Sequence, residues 1–494
     1  MKKILEDITI SLPIKLKNIL QKIDINEQGI IFIVDDKLKL IGSITDGDIR
    51  RSILKGKKIS EKINLDSDLI NKNVVSEKYN SSLTVITTKL DEEINANKKI
   101  KCLPLVDDDG KILDIATKEK IKSFPLSNLK VNQEAINNVL EALTSGWLSS
   151  KGVYISKFEE LFSKYLGGGN AVAVSSGTSA IELGLKSLGI GHDDEVIVPD
   201  FTFAASINAI INVGARPVIV DVEKETWTID INKINEKISN KTKAILPVHI
   251  YGQPCRIDEI LSIAKKRNLF VIEDCAESLG AIYKNRLVGL DFDCSCHSFF
   301  ANKTITTGEG GMVVFKDYNI STKARKIMNH GMSETQKYQH DIVGSNYRMT
   351  NLQAAVGVAE IKKVEKYLEE RKSIFEYYDN ELKNFSNIIL LPDNNWSKNS
   401  YWLYTILLKN FTAVERNNLI NRLSKRGIEC RPGFMSLSKM KPYEKYADGN
   451  FEISNYLSDK SISLPSSKLS KRDQEYILNI LIKEKKINDC SNSC

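Results

Sequence analysis

The sequence predicts an α/β protein with a mostly parallel sheet, preceded by a separate domain built from a repeat. Short strands rich in valine and isoleucine alternate with segments of helical period between about residues 171 and 315. Strands of this kind, separated by helices, are typical of a parallel sheet buried on both faces. The first 125 or so residues instead carry two similar segments, and the pattern becomes mainly helical after about residue 350.

Length and composition limit the class of protein. The 494 residues suffice for about two to four domains. The net charge of +7 is spread along the chain, so we expect a solvated surface and no nucleic-acid partner. Glu6 and Asp7 precede any long apolar run and no window approaches a membrane span, so we expect a cytoplasmic protein without membrane contact. The 8 cysteines lack metal or disulfide spacing, so we expect reduced thiols and no metal.

The N-terminal domain contains an internal repeat. Residues 34–49, VDDKLKLIGSITDGDI, align without gaps on residues 106–121, VDDDGKILDIATKEKI, at an offset of 72. Each copy predicts a strand, an acidic turn, a second strand, a threonine and a helix that starts near Asp48 or Lys120. A unit this short buries little apolar surface alone, so we expect the two copies to pack together.

This repeat resembles a CBS-domain pair of the kind that accompanies sugar-nucleotide enzymes. In CBS domains a threonine and an aspartate three residues later hold a nucleotide ribose, and the resemblance places them at Thr45 and Asp48. The second copy keeps Thr117 but has Lys120 at the acidic position, which argues against a second site. The resemblance implies that residues 1–125 bind an adenine nucleotide, and the alternative is a module for packing or dimerisation only.

A linker, FPLSNLK (124–130), leads into the α/β region, with Pro125 and Ser127 as breakers. It is followed by an apolar helical pattern that ends at Gly146. The predicted strands are AVAVSS (171–176), EVIVPD (195–200), RPVIVDV (216–222), AILPVHI (244–250), LFVIED (269–274) and GGMVVF (310–315). The predicted helices include SAIELGLKSLG (179–189), IDEILSIAKKRN (257–268) and the long KVEKYLEERKSIFEYYDNEL (363–382). The end of the chain predicts a second, smaller domain.

Two polar motifs directly follow predicted strands. In VSSGTSAIEL, a strand ends at residues 175–178 and a helix begins, and free N–H groups with hydroxyls there suit a phosphate. An ordinary helix cap is the alternative. In VIEDCAES, Glu273 and Asp274 lie at the edge where α/β sheets bind ligands. A buried acid needs a cationic partner such as a protonated pyridine nitrogen, and the alternative is a helix cap or surface turn.

Two further motifs supply a ring and an amine. Phe203 in PDFTFAAS follows a strand end, where it could stack on a flat cofactor, although a core position is the alternative. Lys303 lies in SFFANKTITTGEGG (298–311), and a partly desolvated amine there could lose its proton and attack a carbonyl. Ser298 stands five residues before it. Phosphate turn, ring, acid and amine together meet the needs of pyridoxal phosphate (PLP), which we predict as the cofactor.

From about residue 131 to 490 the chain resembles the sugar-nucleotide aminotransferases of the DegT/DnrJ/EryC1/StrS family, most of all those that aminate GDP-linked 4-keto sugars. The motifs that carry the resemblance are GWLSSKG (146–152), SSGTSAIEL (175–183), PDFTFAASINAI (199–210), VHIYGQPC (248–255), VIEDCAE (271–277), SFFANKTITTGEGGM (298–312) and NYRMTNLQAAVG (346–357). It implies a fold-type I PLP-dependent transferase. Residues 131–370 would form a mostly parallel seven-stranded sheet with helices on both faces, and residues 371–490 a small α+β domain.

The resemblance also implies a role for each site residue. Lys303 would be the Schiff-base lysine and proton shuttle, and Asp274 would pair with the pyridine nitrogen. Glu277 stands where relatives often have glutamine or histidine near the ring hydroxyl, and Phe203 would stack on the ring. The residues implied at the phosphate are Gly177, Thr178, Ser179 and Ser298, with Asn346 from the neighbouring subunit. That last role implies a homodimer with shared active sites.

Two departures from the family bear on the substrate. Ser176 replaces an asparagine, and Ser438 replaces the histidine that relatives usually carry near the sugar nucleotide. Lysine at position 303 favours transamination over the dehydration that histidine supports in some relatives. We expect L-glutamate to aminate a nucleotide-linked 4-keto-6-deoxyhexose, with GDP favoured, for surface glycans. The alternatives are a 3-keto or a UDP- or dTDP-linked sugar, an inositol-like ketone, or a catalytically silent PLP-binding regulator with a CBS sensor.

Overall fold

The computed structural model describes residues 2–26, 28–81, 83–96, 101–117, 123–127, 131–483 and 487. It forms two compact units, residues 1–124 with 421–429, and residues 125–420 with 430–494. Lys120, Cys490, Cys494 and the linker residues 128–130, all named above, lie outside the described residues. No helix in the described ranges combines the length and the apolar character that a membrane span requires.

The first unit is built from short strands and helices. Its helices are α1 (Lys2–Ile8), α2 (Leu16–Asn26), α3 (Asp46–Leu54) and α4 (Leu83–Ala96). Its strands are β1 (Thr9–Ile10), β2 (Ile14–Lys15), β3 (Ile30–Val34), β4 (Leu40–Thr45), β5 (Lys62–Ile63), β6 (Glu77–Lys78), β7 (Cys102–Val106) and β8 (Ile112–Thr117). Two three-stranded sheets result, in the orders β1-β3-β4 and β6-β7-β8, and β2 pairs with β5.

The two hairpins of this unit share one register. Ile30 pairs with Thr45 in β3–β4, and Cys102 pairs with Thr117 in β7–β8, at the same offset of 72 that the sequence shows. In both hairpins the register shifts at the last residue of the first strand. Phe32 of the first hairpin and Cys102 of the second belong to one buried apolar cluster. The internal repeat, and the prediction that its copies pack together, are confirmed.

The remaining helices are α5 (Gln133–Thr144), α6 (Val153–Leu166), α7 (Gly177–Ser187), α8 (Ala205–Asn212), α9 (Ile231–Lys237), α10 (Ile257–Arg267), α11 (Tyr318–Met328), α12 (Asn351–Ile361), α13 (Val364–Leu382), α14 (Ala413–Ser424), α15 (Glu452–Lys460) and α16 (Lys471–Ile482). The remaining strands are β9 (Asn170–Val174), β10 (Glu195–Pro199), β11 (Arg216–Val220), β12 (Thr242–Ile245), β13 (Phe270–Asp274), β14 (Ile282–Tyr283), β15 (Arg286–Leu287), β16 (Cys294–Ser298), β17 (Gly311–Phe315), β18 (Ile388–Ile389), β19 (Ser397–Lys398), β20 (Tyr404–Leu408), β21 (Arg431–Pro432) and β22 (Ser461–Leu464).

The main sheet of the second unit has seven strands in the order β11-β10-β12-β13-β16-β17-β9. Neighbours run parallel except at β17, which is antiparallel to both β16 and β9. Because β17 reverses the direction twice, β9 runs the same way as β13 and β16. The carboxyl ends of these three strands therefore meet at one edge, which is where α/β sheets bind ligands. The predicted mostly parallel seven-stranded sheet is confirmed.

Helices cover both faces of this sheet. Along β9, Val172 and Val174 belong to one buried cluster, and Ala171 and Ala173 belong to another. The first cluster includes residues of α7, α8 and α11, and the second includes residues of α6 and α12. Alternate residues of a strand point to opposite faces, so burial of both sets requires a helical layer on each side.

A smaller antiparallel sheet follows, with four strands in the order β18-β20-β22-β21. The predicted boundary at residue 370 lies within α13 (Val364–Leu382), and the division of this unit stays a prediction. One strand of the main sheet was not predicted at all. β16 reads Cys-Ser-Cys-His-Ser, which lacks the apolar run that marked its neighbours, although four of its five residues are buried.

Candidate active site

A cavity of about 380 Å³ lies at the carboxyl edge of the main sheet. It brings together residues that are far apart in sequence, because β9, β13 and β16 end there side by side. The predicted site residues that line it are Gly177, Thr178, Phe203, Asp274, Glu277, Ser298 and Lys303. Ser179 and Asn346, also predicted, are not part of the lining.

Lys303 lies in the turn between β16 and β17, and its side chain is 13% exposed. Its Nζ atom is 3.7 Å from Glu277 Oε1 and 3.8 Å from the centre of the Trp402 ring. Burial lowers the pKa of the amine from its ordinary value, while the negative charges of Glu277 and Asp274 oppose that shift. The amine is therefore easier to deprotonate than a surface lysine, as a nucleophile toward a carbonyl requires.

Asp274 is the last residue of β13, and it is buried. Its carboxylate accepts hydrogen bonds from Ser206 Oγ at 2.8 Å and from the Ala276 N–H at 3.1 Å. Burial raises the pKa of Asp274. Among the described residues, no lysine, arginine or histidine nitrogen lies within 4.0 Å of this carboxylate to form an ion pair. A buried acid without a cationic partner fits a ligand that carries positive charge.

Glu277 follows the same strand and is also buried. Its Oε2 atom accepts a hydrogen bond from the Tyr251 N–H at 2.8 Å, and its Oε1 atom faces Lys303. Burial, opposed by the Lys303 charge, raises the pKa of Glu277 to about 7. Tyr251 presents its N–H from a left-handed backbone conformation with φ of 49°, which is uncommon for a residue other than glycine.

The N-terminus of α7 approaches the end of β16 very closely. A Cβ atom added at Gly177 would lie 2.8 Å from Ser298 Cβ, so only glycine fits there. Ser176 caps the helix, and its side chain and that of Ser179 exchange hydrogen bonds with each other's backbone N–H. The Ser179 hydroxyl is thus used within the cap, whereas Gly177, Thr178 and Ser298 border the cavity. A helix N-terminus with hydroxyls at close range suits a phosphate.

Phe203 and Asn346 take up different positions relative to the cavity. Phe203 lines it and is 60% exposed, so much of its side chain is open to a ligand. Asn346 is an exposed residue outside the lining, and its Oδ1 atom accepts a hydrogen bond from Arg348 Nε at 3.0 Å. The predicted role of Asn346 in a neighbouring subunit's site stays a prediction.

Ser438, at the position that the resemblance puts near the sugar nucleotide, lies outside the cavity lining. Its N–H donates to Asp200 Oδ1 at 2.6 Å, and its hydroxyl donates to Asp200 Oδ2 at 3.0 Å. Asp200 is fully buried, and burial raises its pKa to about 6. The hydroxyl group of Ser438 therefore binds a buried carboxylate of the same chain.

Three aromatic side chains to which the sequence assigned no role form a wall of the cavity. Tyr251, Trp402 and Phe434 lie nearly parallel, with Tyr251 and Phe434 centred 5.3 Å apart at 13°. Trp402 and Phe434 come from distant parts of the sequence, so no local pattern distinguishes them from ordinary core residues. The one local signal was the density of aromatic residues in SYWLY (400–404).

In the first unit, Thr45 and Asp48 lie together at the start of α3. They form a capping box, in which Thr45 Oγ1 accepts from the Asp48 N–H at 3.2 Å and Asp48 Oδ2 accepts from the Thr45 N–H at 2.9 Å. Asp48 also forms an ion pair with Arg51. These contacts account for both residues as a helix cap, and their predicted contact with a nucleotide stays a prediction.

The sequence of the second unit matches a known family over most of its length. The family described as the DegT/DnrJ/EryC1/StrS aminotransferase family matches residues 130–482. GDP-perosamine synthase of Escherichia coli O157:H7 is 42% identical over 348 residues, which are 70% of this chain and 94% of that protein. GDP-perosamine synthase of Caulobacter vibrioides is 40% identical over 329 residues, 66% of this chain and 89% of that protein.

Solved structures of aminotransferases share the fold of this chain. Spr1654 from Streptococcus pneumoniae in its PLP form superposes with a TM-score of 0.70 at 28% identity, covering 74% of this chain and 100% of that one. Helicobacter pylori PseC, an aminotransferase involved in the biosynthesis of pseudoaminic acid, superposes with a TM-score of 0.70 at 26% identity. That comparison covers 75% of this chain and 100% of the PseC chain.

Proposed function

The chain belongs to the DegT/DnrJ/EryC1/StrS aminotransferase family, and we propose that it transfers an amino group from L-glutamate to a nucleotide-linked 4-keto-6-deoxyhexose. The enzyme class and the cofactor, PLP, are as the sequence predicted. The observation that carries the proposal is the Lys303 amine, which lies in one cavity with the Asp274 and Glu277 carboxylates. The product would be a 4-amino sugar for surface glycans.

The residues present fit PLP, which supplies an aldehyde for the amino group and a ring that takes up electrons. Asp274, buried without an ion pair, would hold the positive end of the ring. Gly177, Thr178 and Ser298 would hold the phosphate beside the start of α7. Lys303 would bind the cofactor covalently and move a proton at Nζ, and Glu277 lies close enough to influence the charge on that atom.

GDP is the favoured nucleotide because GDP-perosamine synthases at 40–42% identity are among the relatives. Arg431 lines the same cavity and would supply a cation for the diphosphate. The test is product analysis by mass spectrometry with 4-keto and 3-keto sugars linked to GDP, UDP and dTDP. Amination of the GDP-linked 4-keto sugar alone would support the proposal. Amination of a 3-keto sugar, or of a UDP- or dTDP-linked one only, would select the corresponding alternative.

A catalytically silent PLP-binding regulator is the alternative from another class. Lys303 and Asp274 both line the cavity, which favours an active enzyme. Adding L-glutamate to the PLP-loaded chain should shift the absorbance of the cofactor as it takes up the amino group. An unchanged spectrum with cofactor bound would favour the regulator.

Replacement of Lys303 by alanine tests the central residue directly. We expect turnover to fall by about 10² to 10⁴-fold or more, because the variant lacks the group that holds the cofactor and moves the proton. The measurement is the rate of amino transfer together with the absorbance of the purified, PLP-supplied protein. Lys323→Ala, on the exposed side of α11, is the matched control. Wild-type turnover in Lys303→Ala would refute the assignment.

A homodimer with shared sites is part of the proposal. The family resemblance implies that Asn346 reaches the phosphate of a neighbouring subunit, and Asn346 is absent from the lining of its own cavity. On α5, Ile136, Leu140 and Leu143 recur at helical spacing and are all exposed. Trp147, shortly after this helix, is exposed as well. An apolar surface of this kind supports an interface with a second copy.

We also propose that the first unit is a CBS-domain pair that binds an adenine nucleotide near Thr45 and Asp48 and modulates activity. The identical register of its two hairpins supports a duplicated unit. Calorimetry of the full chain with AMP, ADP and ATP tests it. We expect heat that Thr45→Ala abolishes and that Thr117→Ala, in the second hairpin, retains. No heat with any of the three nucleotides would leave the packing or dimerisation role.

A further inference from the structure

A buried tryptophan lies directly against the reactive amine. Trp402 is 3% exposed, and the Lys303 Nζ atom is 3.8 Å from the centre of its ring. The carboxylate of Glu277 faces the same amine from 3.7 Å. The free ammonium group thus has two partners, an aromatic face and a negative charge.

The same indole ring also contacts the backbone beside Lys303. Its Nε1–H group donates a hydrogen bond of 2.9 Å to the carbonyl oxygen of Asn302, the residue before the lysine. One side chain therefore contacts both ends of the lysine, the peptide at its base and the amine at its tip. A contact at one end alone would leave the four-carbon stem free to rotate.

Trp402 is itself held in place by neighbouring polar contacts. The buried guanidinium group of Arg371 donates from its Nη1 atom to the carbonyl oxygens of Tyr401 and Trp402. Ser400, two residues before Trp402, donates its hydroxyl proton to the Glu277 carbonyl oxygen at 2.9 Å. The backbone turns sharply between them, with Tyr401 at φ of 57°. This segment therefore fixes Trp402 and Glu277 relative to each other.

We propose that Trp402 is a positioning residue that receives the Lys303 ammonium group whenever the amine is not bound to a carbonyl. The negative face of an indole ring attracts a cation, and the attraction is strongest when both groups are desolvated, as they are here. The ring keeps the charged amine inside the cavity and at the same place after each release. The inference rests on the role of Lys303 toward PLP and is independent of the sugar substrate.

The charges that act on the amine are those of Glu277 and Asp274. Lys303 also borders a second cavity, of about 310 Å³, and the other charged or titratable residues that line it are Glu360, Tyr367, Glu370, Arg371 and Lys468. Each Trp402 variant keeps all of these charged side chains. A fall in the pKa of Lys303 in Trp402 variants would therefore report the loss of the ring, because water admitted by a smaller side chain would raise that pKa instead.

The experiment measures the pKa of Lys303 in the full-length chain with the cofactor removed. An amine-reactive label is applied over a range of pH, and labelling of the Lys303 peptide is quantified by mass spectrometry. In Trp402→Leu the cation loses its aromatic partner, so we expect the pKa to fall by about one unit. Trp402→Phe keeps a ring but not the Nε1–H group. We expect the pKa of Lys303 in this variant to lie between its values in Trp402→Leu and in the wild type.

Trp396→Leu is the matched control. Trp396 also contacts a cation, since Arg256 lies 5.6 Å from its ring centre, but it is absent from the lining of the Lys303 cavity. Its replacement should leave the pKa of Lys303 unchanged. If Trp402→Leu and Trp396→Leu give the same value, the proposal is wrong. Circular dichroism checks the fold of each variant, and Trp402→Phe decides the question if Trp402→Leu fails to fold.

This experiment is independent of the substrate assignment. It uses neither a sugar nor glutamate, so a failed search for the sugar substrate leaves its outcome intact. A negative outcome, in turn, would remove the role of Trp402 without touching the proposed reaction.

Discussion

At the scale of single residues, Glu277 is the buried carboxylate that faces the reactive amine of the cavity. Its carboxyl group is buried, accepts the Tyr251 N–H and faces the Lys303 amine. Burial raises the pKa of the carboxyl group and lowers that of the amine, whereas their mutual attraction stabilises the charged pair. Small changes around this pair can therefore move a proton at neutral pH.

Glu277→Gln should change how stability depends on pH in the cofactor-free chain. The pKa of Glu277 rises from 4.5 to about 7 on folding, so between these values the folded state holds a proton that the unfolded state has lost. The stability that Glu277 contributes through this bound proton is therefore lost as pH rises from about 4.5 to 7. Glutamine does not titrate, so the variant escapes this loss. The free energy of unfolding of Glu277→Gln minus that of the wild type should therefore rise between pH 4.5 and 7, by at most about 3 kcal/mol.

Urea denaturation at a series of pH values measures this difference. Glu334→Gln, at an exposed loop position, is the control and should follow the wild type throughout. A difference between Glu277→Gln and wild type that stays constant from pH 4.5 to 7.5 would contradict the assignment.

At the scale of secondary-structure elements, the site depends on where three strands end. The sequence predicted β9 and β13 from apolar runs, and the polar residues after them from position alone. It did not predict β16, since Cys, Ser and His carry no strand signal of their own and become buried only through neighbouring strands. The aromatic wall was missed for a related reason, because its rings meet only through tertiary packing.

Gly177→Ala should weaken cofactor binding through the contact between α7 and β16. The added Cβ atom would lie 2.8 Å from Ser298 Cβ, so Ser298 or the helix must move away from the cavity. We expect the dissociation constant for PLP to rise about tenfold or more, which corresponds to about 1.4 kcal/mol. Equilibrium dialysis measures it.

Gly191→Ala is the matched control for this substitution. Its added Cβ atom would approach nothing closer than the Val213 carbonyl oxygen at 3.5 Å, an ordinary contact. The control should bind PLP as the wild type does. Equal dissociation constants for Gly177→Ala and Gly191→Ala would show that the close approach has no bearing on the cofactor.

At the scale of the whole molecule, the chain joins an aminotransferase unit to a duplicated N-terminal unit. The family match begins at residue 130, so the duplicated hairpins lie outside it. The repeat was predictable because its copies align without gaps. The partner contacts of Asn346 and the ligand of the first unit depend on molecules other than one chain, and no single-chain pattern decides them.

Mixing two inactive variants tests the shared site. In a dimer of Lys303→Ala with Asn346→Ala, one site would combine an intact Lys303 from one subunit with an intact Asn346 from the other. Random reassociation of equal amounts should therefore restore about a quarter of wild-type activity. Amino transfer is assayed after co-refolding of the two variants, and each variant refolded alone is the control. No recovery in the mixture would place Asn346 in the site of its own chain. Full activity of Asn346→Ala refolded alone would place it outside any site.

The position of Trp402 has a practical consequence. Of the chain's 4 tryptophans, it alone lines the cavity in which the cofactor is expected. A bound pyridine ring that absorbs where indole emits would quench this one fluorophore more than the other three. Occupancy could then be followed from the intrinsic emission of the protein, without an added dye, and a chain in which Trp402 is phenylalanine would serve as its blank.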